Sequence, residues 1–150
     1  MATDYFTKWI EAMPTKKVDH QVVMKFLTEN IFTRFRCPTK LVTNNATTFR
    51  AKELVDMCES MGIKLVHSTS YYPQGNGLAE SSNKSLVRII KKLLEDNKRS
   101  WDSKLKFAFW ADRVTTKKSK GSSPFKLVYG TEVVFPIQLV LLVAKFLQEE

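Results

Sequence analysis

Glu80 stands four residues before Lys84, and Arg88 and Lys91 continue the row. At about 100° per residue these four share one side of a helix, while Leu86, Ile89, Ile90 and Leu93 share the other. Just upstream, Pro73, Gly75, Asn76 and Gly77 are loop formers. A carboxylate in a first helical turn, directly after a loop and heading a ladder of cations, can hold a metal ion against a polyanion. The same spacing also makes an ordinary helix pair. Glu80 and Lys84 stand in the favourable order, worth about 0.2–0.5 kcal/mol, and a carboxylate suits the positive end of the helix dipole. Spacing alone leaves both readings open.

The elements that must position this helix follow from turn signals and periodicity. Met1 to Phe6 and Trp9 to Met13 read as short strands joined by a turn at Thr7 and Lys8. Asp19 can cap a helix carrying Val22, Val23, Phe26, Leu27, Ile31 and Phe35, which Pro38 ends. Lys40 to Thr43 reads as a brief buried strand and Ile63 to His67 as another strand, flanking a helix from Ala51 to Met61 with Gly62 as its C-terminal cap. Strand, helix and strand in about thirty residues predict a right-handed parallel crossover. Such sheets bind ligands beyond the carboxyl ends of their strands, and Asn44 stands at one such end. Trp101 to Val114 is a further predicted helix, with Asp112 and Arg113 on its charged face. Pro124 opens a short one that Gly130 stops after Tyr129.

A chain of 150 residues is one domain by prior, long enough to bury a core, and 43% hydrophobic content argues against disorder. Its net charge of +9 is unevenly placed. Residues 84–126 hold 13 Lys plus Arg against 4 Asp plus Glu, and the remaining positions hold 11 of each. The whole excess therefore starts on the Glu80 helix, where it can attract phosphate backbones without reading sequence. Cys37 and Cys58 are too few and too far apart for a zinc site or a disulfide framework and read as buried small hydrophobes in a reducing compartment. His20 and His67 lack partners at ligand spacing. No signal peptide is expected, and Leu139 to Ala144 is far short of the roughly 20 apolar residues of a membrane span.

The stretch around Glu80 resembles the third catalytic block of retroviral and retrotransposon integrases, carried here by Pro73, Gln74, Gly77, Glu80, Asn83 and Lys84. The blocks Asp4 to Trp9, Leu41 to Phe49 and Gly121 to Gly130 are similar to further blocks of that family, in the same order. The likeness is to the Ty3/gypsy-type retrotransposon integrases and runs from about Thr3 to Ile137. It implies an α/β fold, a ribonuclease H-like mixed sheet flanked by helices. It also implies three carboxylates holding two divalent metals, Mg or Mn, for DNA integration.

Within that resemblance the site is degenerate. The family spaces its second Asp from its Glu by thirty-five residues, and positions 45 to 79 supply that interval here, but the residue in register is Asn44. An amide can lend a carbonyl oxygen to a metal but no negative charge to offset it. Asp4 belongs to the block at the end of the family's second strand, so it is expected to make a turn contact, not to be the first catalytic aspartate. Glu80 alone remains of the catalytic, metal-holding set. Family members also carry Gly at the position of Ala46 and commonly Gln at that of Thr48. By the same resemblance Tyr72, Gln74, Asn76, Lys84, Arg88 and Lys91 are candidates for contact with nucleic acid.

The expectation is thus an integrase core lacking the first strand over residues 1–137, followed by a tail over 138–150. It should bind DNA non-specifically, lie in the nucleus or the cytoplasm, with the nucleus implied by the resemblance, and be catalytically inactive. An exposed strand edge invites homodimers or aggregation. Two alternatives stand beside it: a host-retained DNA-binding or oligomerisation module, and an excerpt of a longer, active polyprotein. Trp9, Trp101 and Trp110 are expected in the core rather than as base-stacking platforms, and Pro124, Phe125 and Tyr129 as packing residues of a helical junction.

Overall fold

The computed structural model of the chain describes residues 1–68, 77–93 and 101–134. The N-terminal hairpin pairs β1 (Ala2–Thr3) with β2 (Ile10–Glu11) antiparallel, in the register Ala2 opposite Glu11 and Thr3 opposite Ile10. Both strands are shorter than their sequence runs, and β1 ends early because Asp4 closes the turn. Its Oδ1 accepts from the Thr7 amide at 2.7 Å and from the Thr7 hydroxyl at 2.6 Å. Lys8 completes the turn in the left-handed region at φ 63°, an uncommon conformation for a residue with a Cβ.

Helix α1 (His20–Phe26) begins at Asp19, whose side chain accepts from the Val22 amide at 2.9 Å. It widens into a π-helical segment over Leu27–Phe32, and the Thr33 amide reaches back five residues to the Thr28 carbonyl. That widening is not encoded in any Gly or Pro and was not foreseen from periodicity. Strand β3 (Lys40–Thr43), a 3-10 turn (Thr47–Arg50), helix α2 (Lys52–Ser60) and strand β4 (Lys64–His67) form the expected crossover. β3 and β4 run parallel with Thr43 opposite His67. Gly62, at φ 68°, makes the left-handed turn between α2 and β4 that a side chain would resist. Among the described residues the sheet is two separate pairs, β1–β2 and β3–β4.

Three helices follow: α3 (Gly77–Leu93), α4 (Trp101–Val114) and α5 (Pro124–Tyr129). Ser123 caps α5 by accepting from the Lys126 amide at 3.2 Å, and Gly130 ends it at φ 74°. One apolar cluster joins α3 and α4 to β2 through Ile10, Leu86, Leu105, Ala108 and Phe109. The second joins α1, the π-helical segment and α2 through Phe26, Leu27, Leu54, Cys58 and Ile63, with Leu65 of β4 packed partly buried against it. The hairpin stands between them, since Ile10 belongs to the first cluster while Ala2 and Met13 pack on the second. No described helix is long and apolar enough to cross a membrane.

Three expectations are corrected. The strand over Lys40–Thr43 is not buried throughout: its side chains alternate, so Leu41 packs on the second cluster and Thr43 is buried while Val42 is 38% exposed. Cys58 is fully buried, but Cys37 is exposed. It sits in the exit from the first helical segment, beside Arg36 and Pro38, where no element covers it. Asp112 is buried, with 1% of its surface exposed. Its place on α4 puts it beside Ala108 and Phe109, toward the first cluster and not on a charged face.

Candidate nucleic-acid interface and metal position

Helix α3 divides as its spacing requires. Leu86 is buried and Ile89 and Ile90 pack partly buried against α4, which holds the helix by its apolar side. Lys84, Arg88 and Lys91 are exposed on the other side. None of the three has a carboxylate partner among the described residues. Glu80 lies in the first turn of α3, but its side chain, like that of Leu93, lies outside the described residues. So do Tyr72, Gln74 and Asn76, the loop candidates, and the tail over 138–150.

Asn44 follows the last residue of β3, at the carboxyl end of the parallel pair. Its side chain is turned onto its own backbone: Oδ1 accepts from the Ala46 amide at 3.2 Å, an Asx-type turn. The amide oxygen that could face a cation is thereby engaged. Next to it the Thr43 hydroxyl and His67 Nδ1 lie 2.8 Å apart and tie the ends of β3 and β4 together. Among the described residues no three His, Cys, Asp or Glu side chains converge to hold a metal ion. The residues present at this position do not fit a two-metal centre. Such a centre needs several negative oxygen ligands, and here the β3 end offers one neutral, already bonded amide.

Asp4 behaves as a turn residue, as expected. Trp9 is buried and Trp110 half-buried, so both are packing residues, while the Trp101 side chain lies outside the described residues. The helical junction also forms as expected: Phe125 lies 4.7 Å from Tyr129 and 6.0 Å from Trp110, and Tyr129 contacts Trp9 at 5.7 Å, by ring centroids.

Two groupings went unnoticed in the sequence. Buried Glu11 uses Oε1 to accept from Trp9 Nε1 at 2.9 Å, Arg34 at 2.7 Å and Arg113 at 2.9 Å. Arg113 also lies 4.2 Å from the Trp9 ring centre and donates to the Ile10 carbonyl at 2.9 Å. Burial pushes the Arg113 guanidinium below its ordinary range, and the Glu11 carboxylate opposes that shift. The residues are scattered along the sequence, so only the fold brings them together. The second grouping is a cavity of about 180 Å³ beside α3, lined among others by Lys8, Asp112, Lys117 and the hydroxyls of Ser81, Ser82 and Ser85.

No family model matches the sequence. The chain is 35% identical over 127 residues to the Gag-Pol polyprotein of avian reticuloendotheliosis virus, and 33% identical over 128 residues to the Pol polyprotein of radiation murine leukemia virus. Each likeness covers 85% of this chain but only 11% and 22% of the respective polyproteins. Among solved structures, a simian T-cell lymphotropic virus intasome matches with a TM-score of 0.76 at 22% identity, over 89% of this chain and 48% of that one. The HTLV-2 integrase catalytic core domain, solved in complex with magnesium in a trimeric form, matches with a TM-score of 0.69 at 22% identity, over 85% of this chain and 81% of that one. The catalytic core domain of BIV integrase matches with a TM-score of 0.67 at 19% identity, over 84% of this chain and 81% of that one.

Proposed function

We propose that this chain, an integrase core of the retroviral-type superfamily, binds DNA through the exposed face of α3 and does not join DNA ends. The observation that carries the binding half is the row Lys84, Arg88 and Lys91, exposed and without carboxylate partners among the described residues, on a helix anchored by its apolar side. Fixed cations in a row meet phosphates and release counterions without reading bases.

The observation that carries the other half is Asn44. It occupies the β3 end where the resemblance places an aspartate, and its Oδ1 already accepts from the Ala46 amide. Two divalent ions would lack the compensating charge there, so the chain's own residues support binding and positioning of DNA and no metal-assisted step. Within the superfamily we assign the chain to the Ty3/gypsy-type elements, on the wording of the blocks at Asp4 to Trp9 and Gly121 to Gly130. Homodimers and a nuclear location accompany that assignment.

The reading is tested by titrating a labelled DNA duplex with the purified chain and, in parallel, assaying end joining with magnesium and with manganese. Binding without joining is the expected pair of results. Joined product that Glu80→Gln abolishes overturns the second half.

A further inference from the structure

The turn closed by Asp4 holds two aromatic rings out of the protein. Tyr5 is 78% exposed and Phe6 is 64% exposed, whereas large apolar side chains ordinarily find cover. The turn is braced by the two Asp4–Thr7 hydrogen bonds and by Lys8, whose ammonium donates to the Tyr5 carbonyl at 2.8 Å. The rings are therefore presented by a fixed scaffold.

Each ring carries an ammonium on one face. Lys8 Nζ lies 4.7 Å from the Tyr5 ring centre and Lys120 Nζ lies 4.6 Å from the Phe6 ring centre. Neither lysine forms a salt bridge among the described residues. Burial and the neighbouring Lys120 charge both push the Lys8 amine down, and Asp4 only partly opposes them. An anion relieves the repulsion between such like charges.

Lys8 also lines the cavity beside α3. Asp112, which lines it too, is buried, its Oδ1 accepting from Lys117 at 2.6 Å while its Oδ2 has no hydrogen-bond partner among the described residues. An unmet buried acceptor calls for a donor. One small region therefore presents open aromatic faces, paired cations and an unsatisfied acceptor. A free phosphate answers only the cations, and a duplex hides its base faces and donor edges. An unpaired nucleotide has all three complements: a ring to stack, a phosphate, and amino or imino donors on its free edge.

We infer that the hairpin tip, with Tyr5, Phe6, Lys8 and Lys120 beside the Asp112 cavity, is a binding site for single-stranded nucleic acid, separate from the α3 face. It rests on the reading of the chain as a nucleic-acid-binding protein but not on α3 as the duplex surface. Stacking on the tip supplies affinity that tolerates any base, and the lysines supply its salt dependence.

The test compares a labelled twelve-nucleotide oligothymidylate with a duplex of the same length, by fluorescence anisotropy on the full chain. The Tyr5→Ala, Phe6→Ala double variant is expected to lose single-strand affinity by about 5- to 100-fold, as removal of base stacking does, and to keep duplex affinity within about twofold. Both residues are exposed, so the variant should retain the circular dichroism of the parent. Lys84→Glu, Arg88→Glu, Lys91→Glu is the counterpart: loss of duplex binding with single-strand binding kept separates the two surfaces. Unchanged single-strand affinity in the aromatic variant, equal loss on both ligands, or no single-strand binding by the parent overturns the inference. In the last case the exposed rings are left to a protein partner.

Discussion

Arg113 donates to Glu11 at 2.9 Å, so α4 and the N-terminal hairpin are joined by a charge pair that is almost wholly out of water. The side chains are 15% and 5% exposed. Arg34, which shares Glu11 Oε1, is 42% exposed and contributes less because solvent screens it. Breaking a buried pair strands the remaining charge, at a cost of about 3–5 kcal/mol. Glu11→Gln should therefore lower unfolding stability by about that amount in urea titrations, with the slope unchanged. Arg34→Ala should cost clearly less than Arg113→Ala. Equal small effects from all three would show that the network is not a structural joint.

The two cysteines should separate cleanly. Cys37 is exposed and should react with a thiol reagent in the native protein, while Cys58 should react only as the chain unfolds. Burial pushes the Cys58 thiol above its ordinary range. Its folded value is thus higher than its unfolded one, so the unfolded chain loses this proton first as pH rises. The stabilisation is fully present below the ordinary thiol range and is lost as pH climbs through it toward the raised folded value. Cys58→Ala should flatten that alkaline decline in denaturation curves recorded at increasing pH. An unaltered decline would place its origin in other groups.

Much of this was legible from local signals. Asp19, Gly62, Pro124 and Gly130 act over a few residues, and the helix starts and stops they mark formed where the sequence placed them. The two faces of α3 followed from side-chain spacing, because one amphipathic helix against one neighbour is a local problem. What was not legible depends on distance. Arg113 meets the Ile10 carbonyl across 103 positions, and nothing in the spacing of Glu11, Arg34 and Arg113 announces a meeting. Sequence gives a helix's faces but not which neighbour covers each, so the burial of Asp112 is not readable from spacing. Residues 69–76, which include Tyr72, Gln74 and Asn76, lie outside the described residues, so those candidates rest on the resemblance alone.

For catalysis, no end processing or strand transfer is expected with either magnesium or manganese. Asn44→Asp should tighten manganese binding measured by calorimetry, since it adds a negative oxygen at the β3 end and frees the position from its neutral amide. An Asn44→Asp protein that binds the ion no better than its parent would mean that this strand end does not face the metal position at all.

The claim that phosphates meet the α3 face is tested most directly by the salt dependence of duplex binding in two charge-reversed proteins. The parent should bind non-specifically, with a dissociation constant in the roughly 10⁻⁴–10⁻⁶ M range at physiological salt, weakening steeply as salt rises. Lys84→Glu, Arg88→Glu, Lys91→Glu should bind more weakly and with a flatter slope. Lys16→Glu, Lys17→Glu, Lys25→Glu alters the charge-balanced part of the chain, where Lys25 already lies 4.0 Å from Glu29, and should bind nearly as the parent does. Equal losses of affinity and slope in the two proteins would contradict the account and leave α3 as a packing element.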